Sequence, residues 1–221
     1  MTRPLIMGIV NASPESFSDG GRYATLHDQV LRALELVEQG ADLIDVGGES
    51  GVTGIPAVAA DEEMRRIVPL VERLAAEGVR VSVDTWKPAV ARAALAAGAE
   101  MINDVSGLRD VELADACAEA DASLVVMHTR AEPKVKAFPE YDDVVADVVE
   151  FIRERVEVAL EHGVAREGIV VDPGPDFAKT PAQTVEVLRG LGRLRELGHP
   201  ILLAVSRKDF IGALTNRPPR E

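Results

Sequence analysis

Seven short apolar runs alternate with longer amphipathic stretches along the chain, and this alternation restricts the possible folds more than any other feature of the sequence. The runs are rich in Val, Ile and Leu and show little polar alternation, which is typical of strands buried on both faces. Such strands are usually parallel, so we expect a parallel sheet. The runs span residues 5–10, 43–46, 79–83, 101–102, 123–127, 168–171 and 200–205.

Helical periodicity fills the intervals between these runs. It covers residues 31–38, 64–74, 89–97, 144–160 and 184–191, and a glycine follows each stretch, at Gly40, Gly78, Gly98, Gly163 and Gly198. A helix that ends at glycine and leads into an apolar strand is the signature of repeated βα units. Seven strands exceed a minimal doubly wound sheet, so the sequence predicts an α/β fold of the (β/α)8 TIM barrel type, with an open doubly wound sheet as the competing fold. Because the chain stops soon after the seventh run, we expect the last βα unit of the barrel to be missing.

Composition and charge narrow the class of protein. The 221 residues are 47% hydrophobic and 28% charged, and no linker-like stretch divides them, so we expect a single domain over residues 1–221. The formal net charge of -13 disfavours nucleic acid and anionic membranes as partners. Cys117 lies on the apolar side of a predicted helix, and we interpret it as a packed thiol. The start of the chain does not resemble a signal peptide and no apolar segment reaches membrane length, so the sequence predicts a cytoplasmic protein.

Polar side chains follow the apolar runs, at the point where each predicted strand ends. They include Asn11, Asp45, Asp84, Asn103, Asp104, His128, Asp172, Arg207 and Lys208. Because the strand ends of a parallel barrel converge on one face, we expect these groups to surround one pocket. For Asp45 and Asp104, a helix cap or a turn is an equally good interpretation, and a turn role is also open for Asp172, which precedes Pro173 and Gly174.

The residue types at these strand ends suit a flat nitrogen heterocycle as ligand. A carboxylate accepts hydrogen bonds from adjacent N–H groups, and an Asn amide both donates and accepts. Arg207 and Lys208 can neutralise an anion or a developing negative charge. An Asn oxygen together with phosphate oxygens suits Mg²⁺, whereas the sequence contains no Cys or His cluster with zinc-ligand spacing.

Six segments resemble, in order, the sequence signatures of the dihydropteroate synthase family. They are MGIVNASPESFSDGG (7–21), GADLIDVGGES (40–50), VSVDT (81–85), INDVSG (102–107), DPG (172–174) and SRK (206–208), and the first is long and specific. The resemblance covers essentially the whole chain. It implies a transferase of folate biosynthesis that joins p-aminobenzoate to 6-hydroxymethyl-7,8-dihydropterin diphosphate, releases diphosphate and forms dihydropteroate. It also implies Mg²⁺ as the cofactor and a homodimer as the common assembly.

The resemblance also implies a role for each matching residue. Lys208 and Asp84 are implied as catalytic residues, and Asn11 is implied near the metal and the diphosphate. Asp172, like Asp84, is expected to stabilise positive charge on the dihydropterin during transfer. The implied substrate-binding residues are Asp84, Asn103 and Asp172 at the pterin edge, Met127 at the pterin ring, Phe177 beside p-aminobenzoate, and Arg207 and Lys208.

Three positions depart from the family pattern. The Thr-Arg pair expected after GGES is replaced by Gly51 and Val52, and we consider Arg22 or Arg130 as the source of the lost positive charge. The serine expected after SRK is Asp209, which we expect to turn away and cap the following helix. The Arg-x-His motif of the family's last strand does not occur in the sequence.

Two other functions stay open, and the lost arginine together with Asp209 favours the first of them. One is a non-catalytic pterin-binding paralog, and the other is a methyltetrahydrofolate-dependent methyltransferase domain, which shares the barrel and the pterin pocket. His128 follows Met127, and we expect it to act as a structural hydrogen-bonding group rather than as an acid or base. Residues 131–141, which include Pro133 and Pro139, predict a mobile loop over the mouth of the pocket.

Overall fold

The computed structural model describes residues 3–13, 25–51, 53–54 and 56–217, and at its centre lies a sheet of six parallel strands. Within these ranges the strands are β1 (Met7–Asn11), β2 (Leu43–Gly47), β3 (Val81–Asp84), β4 (Met101–Asp104), β5 (Ser123–Met127) and β6 (Ile169–Asp172). Strands that are neighbours in the chain are also neighbours in the sheet. This sequential order is that of a (β/α)8 barrel, whereas a doubly wound sheet reverses its strand order. The predicted fold class is confirmed, and the doubly wound alternative is wrong.

Helices connect the strands. Those in the described ranges are α1 (Leu26–Glu38), α2 (Ala60–Ala76), α3 (Pro88–Ala96), α4 (Glu112–Glu119), α5 (Val144–Glu161), α6 (Pro181–Arg189), α7 (Leu191–Arg195) and α8 (Asp209–Thr215). Side-chain caps explain where several begin, because Thr25 and Asp28 form a capping box at α1, Thr180 and Gln183 form one at α6, and Asp143 caps α5. None of these helices combines the length and the apolar character that a membrane crossing needs.

The two faces of the sheet differ in chemistry. The outer face, toward the helices, is apolar, and Val46, Val83 and Val126 are fully buried there. Side chains alternate along a strand, so residues one position away point to the inner face. This inner face carries polar groups such as Asp45 and Asn103. The site residues that the resemblance implies on β1 to β6 therefore project from the same side of the sheet, whereas Asp104 pairs with Val126 and lies on the outer face.

The prediction of a seventh strand over residues 200–205 is wrong. The segment makes a single parallel bridge between Ile201 and Val171. The N–H of Val171 donates to the carbonyl of Pro200, and the N–H of Leu202 donates to the carbonyl of Val171, both at 2.9 Å. Strand β6 ends at Asp172, where the chain turns away, so the ladder does not continue within the described residues.

The helix predicted over residues 184–191 is interrupted. Helix α6 ends at Arg189 and α7 begins at Leu191, with Gly190 between them. A Cβ on Gly190 would stand 2.5 Å from Cγ1 of Val145 in α5. The glycine therefore permits a close approach between α5 and the junction of α6 and α7.

Candidate active site

Strand register places three of the predicted site residues in one row across the inner face. Asn11 pairs with Gly47, Gly47 with Asp84, and Asp84 with Asn103. Because neighbouring strands lie about 4.8 Å apart, Asp84 and Asn103 are adjacent, and Asn11 lies about 10 Å from Asp84. The structure thus brings these strand ends to one rim, as the sequence predicts.

Met127 and Asp172 extend the rim on the next two strands. They pair with each other in the register of β5 and β6, and both are buried. One carboxylate oxygen of Asp172 accepts a hydrogen bond of 2.7 Å from the N–H of Gly174. Burial is the main cause that raises the pKa of Asp172 to about 6, against this hydrogen bond and the positive charge of Lys208, which lower it. Asp172 therefore has both a turn role and a free oxygen at the rim.

A buried hydrogen-bond network on the inner face fixes the orientation of Asn103. The Ser82 hydroxyl donates to Oδ1 of Asp45 at 2.6 Å, and Nδ2 of Asn103 donates to Oδ2 of the same carboxylate at 3.1 Å. A carboxylate accepts, so the amide nitrogen of Asn103 must face Asp45. The amide oxygen is then left buried, with no hydrogen-bond partner in the part of the chain that the structure describes. Asp45 is thus neither a helix cap nor a turn residue, and it leaves Asn103 with an acceptor for a ligand.

The carboxyl group of Asp84 sits among other negative charges. Burial, followed by the charges of Asp45 and Glu63, raises the pKa of Asp84 well above its usual range, and the positive charge of Lys208 opposes the shift. Burial also raises the pKa of Asp45. Asp84 is therefore the carboxyl of this pair that favours holding a proton.

Lys208 and Phe177 meet in the lining of the cavity. The Lys208 ammonium lies 4.4 Å from the centroid of the Phe177 ring, within the range of a cation–π contact. Asp176 joins the two segments, because its carboxylate accepts from the Thr184 hydroxyl (3.2 Å) and from the N–H of Phe210 in α8 (3.2 Å). Sequence reasoning missed this link, which holds the loop after β6 against the first turn of α8.

A cavity of about 690 Å³ opens at this rim. Four predicted residues line it directly, namely Asp84, Phe177, Arg207 and Lys208. Asn103, Met127 and Asp172 are buried on the same face of the sheet. The volume falls within the range of small-molecule sites. The cavity therefore has room for a bicyclic ring and a second, smaller ring.

Lys179 is a cavity-lining residue that sequence reasoning missed. Its ammonium donates to Nδ1 of His128 at 2.7 Å and to the carbonyls of Gly174 and Phe177 at 3.0 Å each. Since an ammonium only donates, Nδ1 of His128 accepts, and Nε2 carries the proton that it donates to Asp147 at 2.8 Å. His128 is thus a structural hydrogen-bonding group, as predicted. The available signal for Lys179 was a lysine in the loop directly after the DPG motif.

Both members of this buried pair are shifted toward neutrality. Burial is the main cause that lowers the pKa of Lys179 to about 7, while the charges of Asp172, Asp147 and Asp176 oppose the shift. Burial, with the charge of Lys179, lowers the pKa of His128 to about 3. The imidazole is therefore neutral near pH 7, which fits its place between a donor and an acceptor.

A second polar cluster joins the loops after β2 and β5. Lys87 bridges Glu49 (2.7 Å) and Glu63 (2.5 Å), and Lys134 lies 3.0 Å from the other oxygen of Glu49. The Lys134 ammonium also donates to the carbonyl of Ser50. Residues 131–138 line the cavity, so the predicted loop over its mouth is present and is fastened to the loop after β2.

The residues proposed to compensate for the family departures behave differently. Arg130 donates to both carboxylate oxygens of Asp147, at 3.0 and 2.7 Å, so the prediction that it supplies the lost charge is wrong. Arg22 and Val52 lie outside the described residues, as does the second half of the first signature. Asp209 lines the cavity and occupies the first turn of α8, whose N-cap residue is Lys208 without a side-chain cap bond. The predicted capping role of Asp209 is therefore wrong.

Asp104 and Cys117 have structural roles. The Asp104 carboxylate accepts from the N–H groups of Ser106 (2.7 Å) and Leu108 (2.6 Å), so it builds the turn after β4. Cys117 is fully buried in α4, and burial is the main cause that raises the pKa of its thiol to about 12. The interpretation of Cys117 as a packed thiol is confirmed.

The described residues hold no group of three or more His, Cys, Asp or Glu side chains that could bind a metal ion by themselves. Asn11, the predicted metal residue, places its amide oxygen 3.2 Å from the position that a Cβ on Gly47 would take. Mg²⁺ often uses one or two protein oxygens and completes its shell with water and substrate phosphate. The oxygen of Asn11 fits that pattern, and its role stays a prediction.

The chain is similar in sequence to one protein family and to enzymes with one shared name. Residues 7–221 match the family described as "Pterin binding enzyme". The dihydropteroate synthase of Bacillus subtilis (strain 168) is 43% identical over 99% of this chain and 75% of that enzyme. The dihydropteroate synthase of Synechocystis sp. is 39% identical over 99% of this chain and 77% of that enzyme.

Solved structures of similar proteins give the same result. The Xanthomonas albilineans dihydropteroate synthase with 4-aminobenzoic acid superposes with a TM-score of 0.90 at 48% identity, covering 99% of this chain and 79% of that one. The same enzyme in complex with 7,8-dihydropteroate has a TM-score of 0.87 at 47% identity, covering 100% of this chain and 80% of that one.

Proposed function

This chain belongs to the pterin-binding enzyme family, and from that premise we propose that it is a transferase that makes dihydropteroate. The reaction joins p-aminobenzoate to 6-hydroxymethyl-7,8-dihydropterin diphosphate and releases diphosphate, a step of folate biosynthesis. The observation that carries this function is the row of Asn11, Asp84 and Asn103 on the rim of the cavity that Phe177 and Lys208 also line.

The inner face of the sheet supplies what a pterin edge needs. The unpartnered Oδ1 of Asn103 accepts one ring N–H, and the free oxygen of Asp172 accepts another. Ionised Asp84 would accept a third, and an N–H donor there favours loss of the proton that burial otherwise holds on this carboxyl. Met127 offers a buried apolar contact for the ring.

The transfer step asks mainly for charge stabilisation and positioning. The bond between the pterin methylene carbon and the diphosphate oxygen breaks, and the amine nitrogen of p-aminobenzoate forms the new C–N bond and loses one proton. Positive charge that develops on the pterin side is stabilised by Asp84 and Asp172. Lys208, held over Phe177, places a cation beside the reacting groups. Phe177 gives the ring of p-aminobenzoate an aromatic surface.

Mg²⁺ is the proposed cofactor. Asn11 would supply its protein oxygen, and the diphosphate would supply others. When bound, the ion would stabilise the negative charge of the leaving diphosphate. A chelator should therefore abolish product formation by the purified chain, and excess Mg²⁺ should restore it. Activity that persists unchanged in the chelator would contradict this part of the proposal.

The test of the function is direct. The purified chain is mixed with the pterin diphosphate, p-aminobenzoate and Mg²⁺, and dihydropteroate is measured by chromatography. Absence of product rejects the synthase activity. Calorimetry that shows pterin binding without turnover would instead support the non-catalytic paralog, and cobalamin-dependent methyl transfer would support the methyltransferase alternative.

Three further predictions remain proposals. The homodimer can be tested by light scattering on the purified chain. The cytoplasmic location can be tested by fractionating the source cells and probing each fraction for this chain. The single domain over residues 1–221 predicts one cooperative unfolding transition, and two separated transitions would contradict it.

A further inference from the structure

The lysines of this chain are confined to one place. Of the 24 Lys and Arg residues in the sequence, five are lysines, namely Lys87, Lys134, Lys136, Lys179 and Lys208. Four of the lysines line the cavity, and the fifth lies 4.6 Å from the ring centroid of Trp86, which is itself a cavity-lining residue. Lysine offers a compact charge with three donors, whereas arginine offers a planar fork. The lysine ammonium groups of this chain are therefore concentrated at the cavity, where Arg207 is also a lining residue.

Lys134 is the lysine that connects the two loops at the cavity mouth. It belongs to the flap, which we define as residues 129–141. Its ammonium contacts Oε1 of Glu49 at 3.0 Å and the carbonyl of Ser50, and its own carbonyl accepts from the N–H of Gly54 at 3.0 Å. Its side chain is only 10% exposed. A positive charge from the flap therefore stands at the loop after β2, close to where the family pattern has its Thr-Arg pair.

The charge of Lys134 is less fully matched than that of its neighbour. Lys87 is held between two carboxylates, those of Glu49 and Glu63. Lys134 meets one carboxylate oxygen and one neutral carbonyl. Within the described residues, these two contacts use two of its three N–H donors, so the third is open to a ligand.

Space for such a ligand lies beside this group. Gly51 lines the cavity, and no atom of the described chain stands within 4 Å of the position that a Cβ there would take. The replacement of a threonine by glycine thus leaves open volume next to Ser50. Phe177, the proposed aromatic surface for p-aminobenzoate, lines the same cavity as Lys134.

We propose that Lys134 is a specificity-determining residue for the second substrate, with its ammonium donating to the carboxylate of the aminobenzoate. This inference rests on the proposed function. At the same site, Lys134 would select an arylamine that carries an anionic group. A charge-assisted hydrogen bond forms to the carboxylate and cannot form equally well to a neutral amide. The cation that the family pattern places on the loop after β2 is in this chain supplied by the flap.

The experiment compares p-aminobenzoate with p-aminobenzamide, which has the same ring and amine but no negative charge. The kcat/KM of both is measured for the wild type, Lys134→Met and Lys134→Arg with saturating pterin diphosphate. We expect Lys134→Met to reduce the preference for the carboxylate by about tenfold to a hundredfold, mostly through KM for p-aminobenzoate. Lys134→Arg keeps the charge and should retain much of the preference. Arg153→Met removes an exposed cation of α5 that does not line the cavity, so it is the control and should keep the wild-type preference.

Failure of this proposal and failure of the proposed function give different results. If Lys134→Met loses activity on both substrates by the same factor, Lys134 only fastens the flap and the proposal is overturned. If the wild type makes no product, the proposed function fails, and calorimetry of the two ligands with the pterin-loaded chain still measures the carboxylate preference of each variant. Circular dichroism verifies that each variant folds, and Lys134→Gln serves as a second neutral variant if Lys134→Met does not.

Discussion

Replacement of Lys179 by Met is expected to reveal a buried amine through the pH dependence of stability. Methionine fits the volume of the lysine stem but removes the ammonium that donates to His128, Gly174 and Phe177. Each lost bond leaves a buried acceptor, at a cost of about 1–3 kcal/mol, and removing a buried charge offsets part of that loss. The difference in unfolding free energy between wild type and variant at a single pH is therefore a poor test. The change of that difference with pH reports on the amine of Lys179 alone.

The direction of the pH effect on stability follows from the pKa of the Lys179 amine in the folded and the unfolded chain. Burial lowers the pKa of Lys179 from its ordinary value of 10.5 to about 7 in the folded chain. Between these values the unfolded chain binds a proton that the folded chain has released, so stability rises with pH by about 1.4 kcal/mol per pH unit. Lys179→Met lacks this contribution. The stability of the wild type relative to the variant should therefore grow by about 2.5 kcal/mol from pH 7.5 to pH 9.5.

Other groups near Lys179 complicate the measurement little in this window. Asp172, Asp147 and Asp176 face it with negative charges and Lys208 with a positive one. Asp172 titrates at about 6 and His128 at about 3, both below the window.

The assay is urea unfolding at several pH values, followed by the fluorescence of Trp86, the single tryptophan of the chain. A difference between wild type and variant that stays flat with pH would show an ordinary pKa for Lys179 and refute the reasoning. A difference in unfolding free energy that shrinks as the pH rises would show that the hydrogen bonds of Lys179 raise its pKa by more than burial lowers it.

Three other outcomes are expected. Asp172→Asn and Lys208→Ala should each weaken pterin binding or transfer by about tenfold or more, as measured by calorimetry and product formation. The pterin affinity of the wild type should fall as the pH drops through about 6, the pKa at which Asp172 gains its proton. Unchanged affinity and rate in both variants would show that the pocket is elsewhere. Gly174→Ala should destabilise the loop after β6 by at least about 2 kcal/mol, because φ is +64° and a Cβ would stand 2.1 Å from the carbonyl oxygen of His128; equal unfolding midpoints for this variant and the wild type would contradict that geometry. Cys117 should resist thiol reagents at pH 8 until the chain unfolds, since its pKa is raised to about 12 and the side chain is buried, and rapid labelling of the folded chain would argue against the packing of α4.

The sequence by itself determined the elements and the rim. Strands β1 to β6 and the longer helices are encoded by local periodicity, and the glycines and caps that end them lie within a few residues, so their positions follow closely from the pattern. Once the strands are parallel and sequential, polar groups at equivalent positions of their ends must share one side. The row of Asn11, Asp84 and Asn103 follows from that geometry.

Only the tertiary structure decided which side chains meet across distant segments. Lys179 bonds to His128 over 51 positions, and Lys134 reaches Ser50 over 84. Such contacts depend on how loops of different βα units fold over the rim, which no local pattern encodes. The same reason explains the wrong prediction of a seventh strand, because an apolar run becomes a strand only where a neighbouring strand continues to offer its backbone groups.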